Sequence, residues 1–222
     1  VLATACLAAS APLILLAAAA IKVHDGGPVL FRQERVGRDG APFGLLKLRT
    51  MVPNAASLLP QLAVVNERNG PLFKMQRDPR VTPVGRVLRV TSLDELPQLL
   101  NVLAGSMSLV GPRPALAEEV ARFDDELAGR HSVRPGITGL WQIEARHNPS
   151  FHAYRRLDLL YTNKWSLALD LSIMVATAPA VLQPVVGAIS GSLRRRRAPA
   201  WNAPLPVPAP LRVESAARPT SR

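Results

Sequence analysis

The sequence predicts a fold of the α/β class, of the α+β type: a compact, helix-rich domain with short strands behind an apolar N-terminal helix. Three observations predict it. Val1 to Ile21 holds no charged side chain. Residues 29 to 51 form two short apolar runs around an Asp-Gly turn, and from Val84 to Leu103 apolar residues recur at helical spacing. At 222 residues with a single cysteine, Cys6, the chain has material for one sizeable core and none for an intramolecular disulfide or a Cys-rich zinc site. The four histidines are scattered without ligand spacing.

The net charge of +11 is unevenly spread, because residues 191–222 hold seven arginines against one acid, Glu214, leaving 20 basic and 15 acidic residues before them. That remainder suits a protein lying on an anionic membrane or handling phosphorylated substrates and disfavours a dedicated nucleic-acid binder.

The elements follow in order. Residues 1–22 form a membrane anchor, since about 20 apolar residues are enough to cross a bilayer. Pro12, with Ser10 beside it, removes a helical hydrogen bond and predicts a break that would turn the segment back as a re-entrant or interfacial helix; a kinked spanning helix and a signal sequence are the other readings. Residues 23–190 are the main domain. Within them Gly27 and Pro28 lead into a hairpin whose return strand, Phe43 to Met51, buries Leu45 and Leu48, with Lys47 and Arg49 on a solvated strand face or at a site. A helix is expected around Ala55 to Asn66. A second, with Val84, Val87 and Leu88 inward, leads to Thr91-Ser92-Leu93-Asp94-Glu95-Leu96-Pro97-Gln98.

Adjacent carboxylates near arginines allow two readings. Ser92 and Glu95 match a capping box, with Asp94 favouring the positive end of a helix. Alternatively, one carboxylate is a nucleophile and the other a metal ligand, with guanidinium groups holding phosphate. Pro97 belongs in a first helical turn and weakens the capping geometry. The helix that follows buries Leu96, Leu99, Leu100 and Leu103 and ends at Gly105. A strand-like run from Ser106 to Val110 enters Gly111-Pro112-Arg113-Pro114, whose prolines stiffen the backbone around Arg113. A second rigid arginine turn surrounds Arg134. Trp165 to Ile189 reads as an amphipathic interfacial helix, with a core helix as the alternative. Residues 191–222 read as a disordered basic, Pro- and Arg-rich tail, whose Arg194 to Arg197 run suits anionic lipid.

Taken in order, Gly27-Pro28-Val29-Leu30-Phe31-Arg32-Gln33, Lys47-Leu48-Arg49-Thr50-Met51, Asp78-Pro79-Arg80-Val81-Thr82, Ser92 to Gln98, Gly111-Pro112-Arg113-Pro114 and Arg134-Pro135-Gly136-Ile137-Thr138-Gly139 resemble the bacterial sugar transferases, the monotopic phosphoglycosyl transferases of polysaccharide assembly. Arg156-Leu157-Asp158-Leu159-Leu160-Tyr161 and Trp165 to Leu171 are similar to members acting on undecaprenyl phosphate in exopolysaccharide or capsule synthesis. The resemblance implies a UDP-sugar donor, a polyprenyl phosphate acceptor, an aspartyl intermediate on Asp94, release of UMP, and Mg²⁺ held by Glu95. It assigns Arg89, Arg113, Arg134 and Lys47 to the phosphates or nucleotide, and the helix break to Ser10 and Pro12, with Ala11 where a serine often stands. It further implies the bacterial inner membrane, a site at its cytoplasmic face, downstream glycosyltransferases as partners, and no nucleic acid. Glu144-Ala145-Arg146 departs from the family's glycine before the arginine. The rival reading is a non-catalytic, basic membrane-associated binding protein that keeps the fold.

Overall fold

The structure, a computed structural model, describes residues 1–62, 75, 77–144 and 150–179. It is helix-rich with short strands. Helix α1, Leu2–Asp25, is built from alanine and leucine and ends at Gly26, whose φ of 69° lets its N–H reach Lys22 O. It is long and apolar enough to cross a membrane, and it passes the expected end of the anchor by three residues. The break expected at Ser10 and Pro12 does not end it. Pro12 lies inside the helix and Ser10 Oγ donates to Leu7 O at 3.2 Å. A proline in a helix interior costs about 3 kcal/mol, and the strong helix formers on both sides carry the element through it.

Strands β1, Leu30–Val36, and β2, Pro42–Leu48, pair antiparallel from Leu30↔Leu48 to Val36↔Pro42. Their connection uses Asp39 at φ 54° and Gly40 at φ 78°, two consecutive left-handed residues that match the twist of a hairpin. Leu45 and Leu48 are buried as expected. Arg49 is not solvated: it is buried, pairs with Asp25 and donates to Pro28 O at 2.7 Å, tying the end of α1 to the hairpin. Of the helix expected around Ala55 to Asn66, a short α2, Leu59–Leu62, is present; residues 63–66 lie outside the described residues.

Helix α3, Pro83–Thr91, begins with Pro83 in its first turn and Thr82 Oγ1 accepting from Gly85 N. Leu88 is buried and Val84 partly so, but Val87 is 61% exposed, against expectation. Helix α4, Gln98–Leu103, also departs from its expected stripe: Gln98, Leu99 and Asn101 are buried, Leu96 is half-buried, and Leu100 and Leu103 are exposed. The reason is Asn101. Its Oδ1 accepts from Leu46 N at 3.0 Å and its Nδ2 donates to Gly44 O at 2.8 Å, so a polar side chain takes the inward position and turns Leu100 and Leu103 outward. Ala17 and Ile21 of α1 pack with Leu48 and Leu88, and Leu93 joins them.

Strands β3, Ser108–Val110, and β4, Gly136–Thr138, are parallel. Between them run α5, Ala117–Val120, and α6, Asp125–Ala128. Helices α7, Leu140–Glu144, and α8, Phe151–Asn163, follow; α8 buries Tyr154, Leu157, Asp158 and Tyr161, the i, i+3, i+4, i+7 face. A further apolar helix, α9, spans Leu167–Pro179. Ile173 packs with Val110 and Tyr161, while Leu167, Leu171 and Val175 form an exposed stripe with Trp165 before them. The face of α9 that carries Ile173, with Leu169 and Met174, packs on the domain core, and the exposed stripe is itself apolar. Residues 180–189, the tail with Arg194 to Arg197, and Arg146 lie outside the described residues.

Candidate active site

The carboxylate pair sits where the chain reverses after α3. Ser92 caps that helix at φ 57° and ψ 17°, a conformation a serine adopts at a cost of about 1 kcal/mol. It makes no side-chain cap bond to the next turn, so the expected capping box is not formed. The reversal starts a 3₁₀ turn, Leu93–Glu95, with Leu93 against the α1 and α3 core, Asp94 buried and Glu95 about one-third exposed (34%). Lys47 comes from β2, one residue before buried Leu48 and so on the opposite strand face. Its Nζ stands 2.8 Å from Glu95 Oε1. Burial raises Asp94 to about 6; Lys47 opposes the shift, Glu95 adds to it, and Arg89 opposes it.

Arg89 stands just over one turn ahead of the pair and is anchored by Nε donating to Thr50 Oγ1 at 2.9 Å. It keeps an exposed flank, and desolvation of the rest lowers its pKa against the pull of Asp94 and Asp78. Asp78 is gripped by Arg80 through two parallel bonds, Nε to Oδ1 at 2.9 Å and Nη2 to Oδ2 at 2.7 Å. Burial pushes Asp78 upward, but the bonds from Arg80 outweigh it and hold it below the usual value.

The two arginine turns are laced together by backbone. Gly111 N donates to Thr138 O at 2.9 Å, Gly136 N to Pro112 O at 2.9 Å, and Ser108 N to Pro135 O at 2.8 Å. A Cβ on Gly136 would stand 2.1 Å from Gly111 N, and one on Gly139 would stand 2.1 Å from Gly111 O. This close approach is why both turns need glycine. Arg113 is 28% exposed and pairs with buried Glu119 at 3.1 Å. Arg134 is exposed in the second turn, its backbone oxygen against Gly111. The structure therefore brings Asp94, Glu95, Lys47 and Arg89 into one cluster, and the turns of Arg113 and Arg134 into another.

Residues that sequence reasoning missed connect and support these clusters. Arg35 of β1 donates to Pro114 O at 3.1 Å and to Gln33 Oε1 at 2.7 Å. Burial and neighbouring Arg113 lower its pKa to about 10, while Glu119 and Glu95 act in the other direction, so its field reaches both clusters. Arg130 donates from Nη2 to Arg113 O at 2.6 Å, pairs with Asp158 at 2.5 Å, and lies over the rings of Phe123 and Tyr154. Asp158 carried a signal, an acid on the apolar stripe of α8; Arg130, in a polar turn, carried none.

The donor set suits a hard divalent cation. Among the described residues there is no group of three or more His, Cys, Asp or Glu arranged to hold a metal. Mg²⁺ is commonly held by one or two carboxylates, with water and substrate phosphate completing its shell. Asp94 and Glu95 fit that pattern, and the buried carboxylate of Asp94 gains from a cation beside it.

Residues 1–184 match the family model described as "Bacterial sugar transferase". The chain is 45% identical over 159 residues to "Galactosyl transferase CpsE" of Streptococcus agalactiae serotype III (strain NEM316), covering 71% of this chain and 35% of that protein. It is 44% identical over 174 residues to "Exopolysaccharide production protein ExoY" of Rhizobium meliloti (strain 1021), covering 77% of each. It is 47% identical over 182 residues to "UDP-glucose:undecaprenyl-phosphate glucose-1-phosphate transferase" of Caulobacter vibrioides (strain ATCC 19089 / CIP 103742 / CB 15), covering 78% of this chain and 63% of that one. The chain thus spans about one-third of CpsE (35%) and most of ExoY (77%).

Proposed function

The chain belongs to the bacterial sugar transferase family, and from that premise we propose that it moves a sugar 1-phosphate from a UDP-sugar to undecaprenyl phosphate or a similar polyprenyl phosphate, releasing UMP. The carrying observation is the buried Asp94 beside Glu95, with Lys47 and Arg89 at hand, in a turn whose Leu93 packs on the membrane-length helix α1. An acceptor that stays in the bilayer requires a site at the lipid interface.

The Asp94 carboxylate attacks the β-phosphorus of the donor. The bond from that phosphorus to the oxygen bridging the two phosphates breaks, UMP leaves with the electron pair, and the sugar phosphate stays on Asp94 as a mixed anhydride. An oxygen of polyprenyl phosphate then attacks the same phosphorus and frees Asp94, giving a polyprenyl diphosphate-linked sugar. Glu95, with Asp94 beside it, would hold Mg²⁺, and the chemistry that ion would supply is neutralisation of the charge spread over the transferring phosphoryl group. Lys47, Arg89 and Arg113, with Arg134 at the rim, position and neutralise the phosphates. Burial keeps water from the reacting bond and makes Asp94 a stronger base than an exposed carboxylate. We place the reaction at the cytoplasmic face of the bacterial inner membrane, as the first lipid-linked step ahead of downstream glycosyltransferases in exopolysaccharide assembly.

The test is UMP release from a panel of UDP-sugars with undecaprenyl phosphate and Mg²⁺ in matched membranes. The parent releases UMP with at least one donor and Asp94→Asn does not, while mass spectrometry finds the sugar phosphate on Asp94 when acceptor is withheld. Turnover by Asp94→Asn at the parent's rate refutes the nucleophile; a folded parent inert with every donor favours a binding protein that keeps the fold.

A further inference from the structure

Lys47 and Glu95 meet from separate elements, β2 and the turn after α3, with their side chains 28% and 34% exposed. Both are reachable from solvent. A lysine ammonium rides on a flexible four-carbon stem, so a part-exposed pair of this kind can open by side-chain rotation alone. Arg89 is less free, because its Nε is fixed to Thr50 Oγ1. Within the cluster two carboxylates, Asp94 and Glu95, face two cations, Lys47 and Arg89; both cations act on Asp94, and Arg35 acts on Glu95 from the neighbouring cluster. A diphosphate approaching that arrangement meets cations already matched by carboxylates. A divalent cation on the acids changes the balance, leaving Lys47 and Arg89 with unmatched charge for a diphosphate.

We propose that Lys47 is an exchange cation: it occupies Glu95 until a divalent metal takes that carboxylate, and the displaced ammonium then turns to the donor's diphosphate. The inference rests on the assignment of Glu95 to the metal under the proposed function. It goes further by making Lys47 and the metal competitors for one carboxylate, and by setting an order in which metal precedes nucleotide. It also gives Lys47 two partners in succession, which a fixed phosphate ligand or a merely structural ion pair does not have.

The experiment uses the full chain in lipid nanodiscs and needs no turnover. Mn²⁺ binding is followed by loss of the free-ion electron paramagnetic resonance signal, and UDP binding by calorimetry with and without Mn²⁺. Lys47→Met removes the competitor and binds Mn²⁺ about threefold to tenfold more tightly, the range set by a part-exposed ion pair and by repulsion between two cations. With Mn²⁺ present, its UDP affinity falls about tenfold; without Mn²⁺ it stays within about twofold of the parent, whose lysine is already engaged. Glu95→Gln provides an independent variant: without a metal Lys47 loses its paired carboxylate and keeps only the pull of Asp94, so metal-free UDP binding is about threefold to tenfold tighter than the parent's. If the parent binds Mn²⁺ but Lys47→Met binds it no better, or Glu95→Gln gains nothing for UDP, the exchange is overturned and the metal assignment stands. If the parent binds no Mn²⁺, both fall.

Discussion

Asp158 and Arg130 form a pair with side chains 2% and 1% exposed and a separation of 2.5 Å. Burial raises the pKa of Asp158 despite Arg130 beside it, so desolvation is the dominant force on the acid. Removing one member of such a buried pair costs about 3–5 kcal/mol, and for a chain of this size about 2–4 °C of Tm is lost per kcal/mol, giving a fall of about 6–20 °C. The two single variants differ. In Asp158→Ala the buried guanidinium loses its counter-charge and keeps the Arg113 carbonyl, at 2.6 Å, and the Phe123 and Tyr154 rings, at 5.6 and 5.2 Å, as counterweight. In Arg130→Met the abandoned acid becomes neutral by taking up a proton, which caps its cost. Asp158→Ala is therefore the more damaging. The folded pKa of Asp158 in Arg130→Met lies above its unfolded value, so its ionisation destabilises the fold at higher pH, and lowering the pH through the folded pKa restores stability to that variant. The double variant Arg130→Met/Asp158→Leu melts above either single variant. The assay is thermal unfolding in nanodiscs followed by tryptophan fluorescence, since Trp141 lies edge-on to Tyr154 at 5.3 Å. Single variants within about 2 °C of the parent, or a double variant showing the sum of both losses, refute a coupled buried pair.

Gly85→Ala places a Cβ 2.0 Å from the backbone oxygen of Thr50, so α3 must shift; a loss of about 1–3 kcal/mol is read by thermal melting, with weaker nucleotide binding because Thr50 also anchors Arg89. Asn101→Leu leaves Leu46 N and Gly44 O without their side-chain partner and costs about 1–3 kcal/mol for each group left unpaired, read in the same melts. Leu167→Asp/Leu171→Asp puts charge on the exposed stripe of α9 and lowers quenching of Trp165 by brominated lipids while α1 keeps the chain in the vesicle fraction; unchanged quenching refutes an interfacial α9.

Local chemistry made part of this architecture readable. The hairpin followed from strand periodicity and one Asp-Gly turn, and the acid pair stood out because two carboxylates met a proline at a helix start. The departures arise where a side chain's partner is remote. Arg49 looked like a solvated strand cation because its acid, Asp25, is the last residue of another helix. Leu100 and Leu103 fitted a buried stripe until Asn101, by bonding the edge of β2, took the inward position. The glycines of the two arginine turns looked like ordinary punctuation, yet each excludes a Cβ from the other's backbone. That lacing ties Arg113 and Arg134 to each other before any ligand arrives, and Arg130 fixes the Arg113 carbonyl from behind. The two arginine turns thus rest on buried backbone and ion-pair contacts, whereas Lys47 and Glu95 meet in reach of solvent. Under the proposed function, the backbone-laced arginine turns are the part of the site held fixed for an anion, and the part-exposed Lys47–Glu95 pair is the part left open to ion exchange.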